Sequence, residues 1–125
     1  MEVLSSRVLI RPRDRERSTA FYRDTLGLAV YREFPGGTVF FLGNGLLEVS
    51  GRGEAEPGPD VALWLQVRDL GATALELARR EVPVLREPRM EPWGLREMWI
   101  GDPDGLRIVL VEIPADHPLR HDQRD

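Results

Sequence analysis

The sequence predicts an α+β fold: two βαβββ modules forming a cupped mixed sheet around a cleft, with the helices on the outer face. Three observations carry that expectation. A strand, a helix and a further run of strands occur in the same order twice. Asp14 and Asp69 each follow an extended segment and open a helix, as capping residues do. Between the two copies lies GRGEAEPGPD, residues 51–60, rich in Gly and Pro and without apolar periodicity, which reads as a linker. The halves share a pattern more than an identity, so a single α+β domain with a chance repeat is the alternative.

The first module covers residues 1–50. Val8 to Ile10 begins a strand that Pro12 ends. Asp14 caps a helix over roughly residues 15–26, with Phe21, Tyr22 and Leu26 on its apolar side and Gly27 at the left-handed cap. Leu28 to Glu33 reads as a strand and Pro35-Gly36-Gly37 as a turn. Thr38 to Leu42 and Leu46 to Ser50 form a hairpin joined by Gly43-Asn44-Gly45, since Asn-Gly favours such turns.

The second module covers residues 61–113. Val61 to Val67 is a strand. Asp69 caps a helix through about Arg80, with Leu70, Ala74, Leu77 and Ala78 on one side. Val82 to Leu85 is expected as a short strand, bent or broken by Pro83. Leu95 to Ile100 and Arg107 to Glu112 form a second hairpin around Asp102-Pro103-Asp104-Gly105, a type I turn with a bulge. Residues 114–125 are a polar tail holding the two histidines, His117 and His121. Their spacing could place both on one helical face, but an exposed, solvated pair is the plainer reading.

Composition narrows the chemistry. The 125 residues suffice for one domain or two small modules sharing a core. No run approaches the ~20 apolar residues of a membrane helix, and Met1 to Arg7 lacks a stretch of signal-peptide length. No membrane partner and a cytoplasmic location are therefore expected. Cysteine is absent, which excludes disulfides, thiolate catalysis and thiolate metal sites. All 17 basic residues are Arg, so Schiff-base chemistry and a phosphate loop ending in Lys are excluded too. The net charge is −4, and the basic run from Arg7 to Arg17 is interrupted by Asp14 and Glu16, so no nucleic-acid partner is expected.

The motifs point to a family. Asp14 followed by Phe21-Tyr22-Arg23-Asp24-Thr25-Leu26-Gly27-Leu28 is similar to the D…FY…LG signature of the vicinal-oxygen-chelate superfamily, the glyoxalase, bleomycin-resistance and extradiol-dioxygenase group. Trp93-Gly94 and Asp102-Pro103-Asp104-Gly105, leading into a closing strand, resemble the ending of that family. The resemblance covers nearly all of residues 4–113. It implies the two-module fold and a homodimer. It leaves activity open, because the family spans isomerases, dioxygenases, thiol transferases and metal-free drug binders.

In metal-dependent members the ligands come from four strand positions. A His lies seven residues before each helix-opening Asp. A Glu or Gln lies late in the first module, and a Glu four residues after the Gly of DPDG. Carried onto this chain, the positions are Arg7, Ala62, Glu48 and Val109. Only Glu48 has metal-binding chemistry: Arg repels a cation, and Ala and Val offer no lone pair. No metal and no cofactor are therefore expected.

Strand alternation extends those positions into a lining. It adds Leu9 and Arg11, Trp64 and Gln66, Leu46 and Ser50, and Arg107 and Val111. A one-residue bulge in the second turn would set Trp99 opposite Val109 with Glu97 beside it, and Phe41 is expected to face Glu48 across the first hairpin. The opposite phase, with Val8, Ile10, Leu63, Ile108 and Leu110, is more uniformly apolar and suits a helix-covered face.

Each key residue carries two readings. Trp64 and Trp99 either fill a core or interface or form stacking walls for a ligand. Arg7 and Glu48 are either a structural ion pair in the place of the metal, or an anion clamp with Glu48 as acceptor or base. The sequence thus favours a metal-independent binder of an aromatic or charged small molecule, with Arg7, Phe41, Glu48, Trp64, Gln66, Glu97, Trp99, Arg107 and Val109 as ligand-binding residues. The alternative is an enzyme of the same superfamily, an isomerase, lyase or dioxygenase. It would be metal-dependent if the alignment slips, or would use Glu48 as its catalytic acid or base. A structural or regulatory module with a closed cleft is a third possibility.

Overall fold

The structure, a computed structural model, describes residues 1–119. The chain divides into two compact units, Met1–Pro57 and Gly58 onward. Each contains one four-stranded mixed sheet and one α-helix.

In the first unit β1 (Arg7–Ile10) leads to Asp14, whose carboxylate accepts from the Arg17 N–H at 3.2 Å and starts α1 (Arg15–Ala20). Helical structure runs as far as expected, to a cap at Leu26, but its last turn is not α-helical. Phe21–Thr25 continues as a π-helical turn, with the Leu26 N–H bonded to the Phe21 carbonyl at 2.9 Å. Widening the turn by one residue leaves Tyr22 fully buried, its ring centroid 6.3 Å from that of Phe40. Gly27 then takes a φ of 72°, and the Leu28 N–H closes back onto the Tyr22 carbonyl at 3.0 Å.

Three strands follow: β2 (Val30–Phe34), β3 (Gly37–Leu42) and β4 (Gly45–Ser50). The sheet order is β1-β4-β3-β2, with β1 parallel to β4 and the remaining pairs antiparallel. The turn from β3 to β4 has two residues, Gly43 and Asn44, because Leu42 pairs with Gly45. One face carries Leu47, Val49 and Phe40, all fully buried. The other carries Arg7, Leu9, Leu46, Glu48, Ser50 and Phe41.

The second unit repeats the order. After β5 (Ala62–Gln66), Asp69 accepts from the Ala72 N–H at 2.9 Å and starts α2 (Leu70–Arg79). The Leu70 N–H donates to the Glu112 carboxylate at 2.8 Å, which ties the helix start to the last strand. Then come β6 (Val84–Met90), β7 (Arg96–Gly101) and β8 (Arg107–Glu112), in sheet order β5-β8-β7-β6. Leu63, Met98, Ile100, Ile108 and Leu110 are buried on the Glu112 side, the face that α2 covers.

The expected short strand Val82 to Leu85 is also corrected. β6 begins after Pro83 and runs seven residues, through Pro88. It is an edge strand with two register shifts against β7, so a proline lacking its N–H costs little there. The second hairpin follows the expected bulge. Gly105 adopts a φ of 87°, Gly101 pairs with Arg107, and Trp99 pairs with Val109. No helix among the described residues is long and apolar enough to cross a membrane.

Candidate functional site

In the first unit, strand pairing sets Arg7 beside Leu46 and Leu9 beside Glu48. Arg7 Nη1 reaches Glu48 Oε1 at 2.8 Å, with 15% of the Glu48 side chain exposed. Ser50 Oγ donates to Glu48 Oε2 at 2.7 Å, and Arg11 Nη1 donates to Ser50 Oγ at 2.7 Å. The result is a chain of charge-assisted bonds, Arg7–Glu48–Ser50–Arg11, along two adjacent strands. The Ser50 hydrogen bond, followed by the Arg7 bond and charge, holds the Glu48 carboxyl below its usual range. A carboxylate so stabilised is a weak base near neutral pH, which speaks against Glu48 as a proton acceptor.

Gly37 belongs to the same arrangement. A Cβ there would stand 2.6 Å from the Ser50 Cβ and 2.7 Å from the Phe34 ring. Phe41 is displaced from its expected place. The two-residue turn sets it opposite Leu46, and Val39 takes the place opposite Glu48. Phe41 shares the face with Glu48, is half exposed, and meets Tyr31 edge-on at 5.2 Å.

In the second unit the register lines up one residue from each strand: Trp64, Val109, Trp99 and Arg86. The next row holds Gln66, Val111, Glu97 and Arg89, and on the other side Ala62 pairs with Arg107. Trp64 is 50% exposed, whereas Val109 is buried and Trp99 packs against the cluster of Leu95, Val109, Val111 and Ile113. The guanidinium carbons of Arg86 and Arg107 lie 3.9 and 4.7 Å from the Trp99 ring centroid. Both are cation–π contacts.

A buried acidic pair supports this row. Glu91 and Glu97 are 4% and 6% exposed. Glu91 accepts from Arg86 and, at 3.1 Å, from Arg89. Glu97 accepts from the Trp93 indole N–H at 2.7 Å and lies 4.0 Å from Arg86. Sequence reasoning placed Glu97, Trp99, Arg107 and Val109 on this face but missed Arg86, Glu91 and the role of Trp93. Arg86 was hidden by the truncated strand. Had β6 been extended past Leu85, alternation would have brought it to the row.

His117 differs from the solvated state expected of it. His117 is partly buried, its Nε2 is 3.1 Å from the Trp93 carbonyl, and its Nδ1 accepts from the Leu119 N–H. His121 lies outside the described residues.

A separate hollow of about 460 Å³ lies in the first unit, lined by Arg15, Thr19, Arg23, Phe34 and Thr38 among others. None of the expected ligand-binding residues lines it.

The two βαβββ units, each with a helix-covered face and a face bearing charged and aromatic side chains, define the fold class. A family model for the Glyoxalase/Bleomycin resistance protein/Dioxygenase superfamily matches residues 5–110, and the chain belongs to that superfamily. Curated proteins give no match. Among solved structures, a superfamily member from Sphaerobacter thermophilus is 26% identical, with 89% of this chain and 98% of that chain covered and a TM-score of 0.71. An antibiotic-binding protein from Streptomyces, TnmS3, is 23% identical, with 90% and 98% covered and a TM-score of 0.76. A lactoylglutathione lyase from Agrobacterium tumefaciens is 21% identical, with 90% and 94% covered and a TM-score of 0.68. The last two likenesses are of fold alone.

The superfamily includes metal enzymes, so the four positions carrying the ligands can be tested against a metal. They do not fit one. Arg7 spends a guanidinium on the carboxylate that a cation would need, and Ala62 and Val109 have no donor atom. Among the described residues, no group of three or more His, Asp or Glu side chains is placed to hold an ion.

Proposed function

We propose that this chain binds a small aromatic or charged molecule without a metal and performs no chemistry on it. The observation that carries the reading is Trp64. Its indole is half exposed and shares a row with Val109 and Trp99 on the face away from the helix. Trp64 and Trp99 rise from strands roughly 10 Å apart, two strand spacings, with Val109 between them. That leaves room for a flat ligand over an apolar floor. Arg107 and Arg86 supply charge beside it, and the Arg7–Glu48 pair stands where metal-dependent relatives would need open ligands. The enzyme reading through Glu48 has less support, because that carboxylate is already paired.

Tryptophan fluorescence tests this. Titration with a panel of planar, charged aromatic compounds should perturb the emission. Trp64→Ala should then weaken binding by stacking worth about 0.5–1.5 kcal/mol, with the fold retained by circular dichroism. If no compound perturbs the wild type, and the variant only unfolds or dissociates, Trp64 is a packing residue and the reading fails.

Self-association is a companion proposal, supported by Leu9, Tyr31 and Phe41. These are 54%, 50% and 47% exposed and lie on the first sheet. Sedimentation should give a dimer that Leu9→Asp and Phe41→Asp weaken; a monomer at all concentrations would refute it.

A further inference from the structure

Building on the reading of the Trp64–Trp99 face as a ligand site, we infer that the ligand carries a carboxylate, seated by Arg107 and the Trp99 indole N–H. Three donors on this face, Arg86 Nε, Trp99 Nε1 and Arg107 Nε, are shielded from solvent and have no hydrogen-bond partner among the described residues. Proteins leave few such groups unpaired, because a buried donor without an acceptor keeps its full desolvation cost. Here all three cluster around one side chain, since both guanidinium groups lie against the Trp99 ring.

Charge separates the two arginines. Arg86 is met by Glu91 and faces Glu97 at 4.0 Å, and Arg89 is bonded to Glu91. Arg107 makes no ion pair among the described residues; its contact is with the Trp99 ring. In this group three guanidiniums face two carboxylates, so one positive charge is left uncompensated, and the unpaired arginine is Arg107.

What fits is an acceptor with one negative charge. A carboxylate is planar and matches the edge of a guanidinium, and it takes the indole N–H on one oxygen once the side chains that cover this donor move aside. A cation would meet Arg107 with like charge. A neutral apolar molecule would cover the donors and leave them unpaired, which sites of this kind reject strongly. With the half-exposed Trp64 in the same row, the class is an arene carboxylate.

Calorimetric titration of the full chain with 1-naphthoate, 2-naphthoate and quinoline-2-carboxylate, each against its neutral primary amide, tests the assignment. The carboxylates should bind about tenfold more tightly than the amides, as charge-assisted hydrogen bonds predict. Arg107→Gln should bring the carboxylate-to-amide affinity ratio to about one. Should that variant not fold, Trp99→Phe carries the test. It keeps an aromatic side chain but removes the pyrrole ring with its N–H, and should cut the preference about threefold. Equal binding of both series by the wild type overturns the carboxylate seat but leaves aromatic binding standing. A preference that survives intact in the folded variants overturns the assignment to these residues. Binding of neither series overturns both the seat and the binding reading beneath it.

Discussion

Glu48 receives one hydrogen bond from Arg7 and one from Ser50, so each carboxylate oxygen is occupied. Its folded pKa lies below the ordinary 4.5, which makes the unfolded chain the better proton binder on the acid side. The stabilisation is therefore complete above the unfolded value and disappears as pH falls through the folded one. Acid titration of stability should show wild type losing ground below about pH 4.5, the ordinary carboxyl value, and Glu48→Gln showing a shallower loss. Identical acid profiles would contradict the pairing. Ser50→Ala should move the Glu48 pKa upward in an NMR titration, because the Ser50 bond is the largest cause of the shift. Glu91 presents a harder case, with its side chain 2% exposed against Arg86 and Arg89. Glu91→Gln leaves guanidinium charge without its partner and should destabilise the fold by about 3–5 kcal/mol in urea unfolding. A loss under 1 kcal/mol would mean that solvent reaches Arg86 freely.

The two capping aspartates mark the repeated element. Each carboxylate accepts from a backbone N–H three residues on. Asp14→Ala and Asp69→Ala should each cost about 1 kcal/mol of stability, read as a fall in Tm of several degrees. No change would detach the repeat from its capping chemistry. Capping was legible because it depends on one residue and its immediate neighbours. The bulge at Gly105 was legible for the same reason, and it fixed Trp99 against Val109 two strands away from Trp64. The first hairpin was less legible. Gly43-Asn44-Gly45 allows either a two- or a three-residue loop, and the two-residue form moves Phe41 from Glu48 to Leu46. β6 was misjudged because Pro83 looks like a strand breaker, yet the strand starts after it and its edge position tolerates Pro88 within it. The π-helical turn had no local signal; it answers to the burial of Tyr22, a tertiary demand.

For the molecule as a whole, the alternation of the strands named much of the candidate face before any contact was visible. Ion pairs along adjacent strands, such as Arg7 with Glu48, follow from register once the parallel pairing is known. The Arg86–Glu91–Trp93–Glu97 group does not, because it joins a bulged edge strand to the turn that follows it. Membership of the superfamily is compatible with a metal, whereas the side chains at the four positions, Arg7, Glu48, Ala62 and Val109, do not fit one. One measurement separates a metal site from a metal-free one directly. Protein dialysed against a chelator and assayed by elemental analysis should carry well under one zinc, nickel, iron or manganese per chain. In the same sample, arene carboxylates should bind with affinity unchanged from the untreated protein. Stoichiometric metal that survives chelation and is lost in Glu48→Ala, or binding that returns only when a divalent ion is added back, would contradict the account.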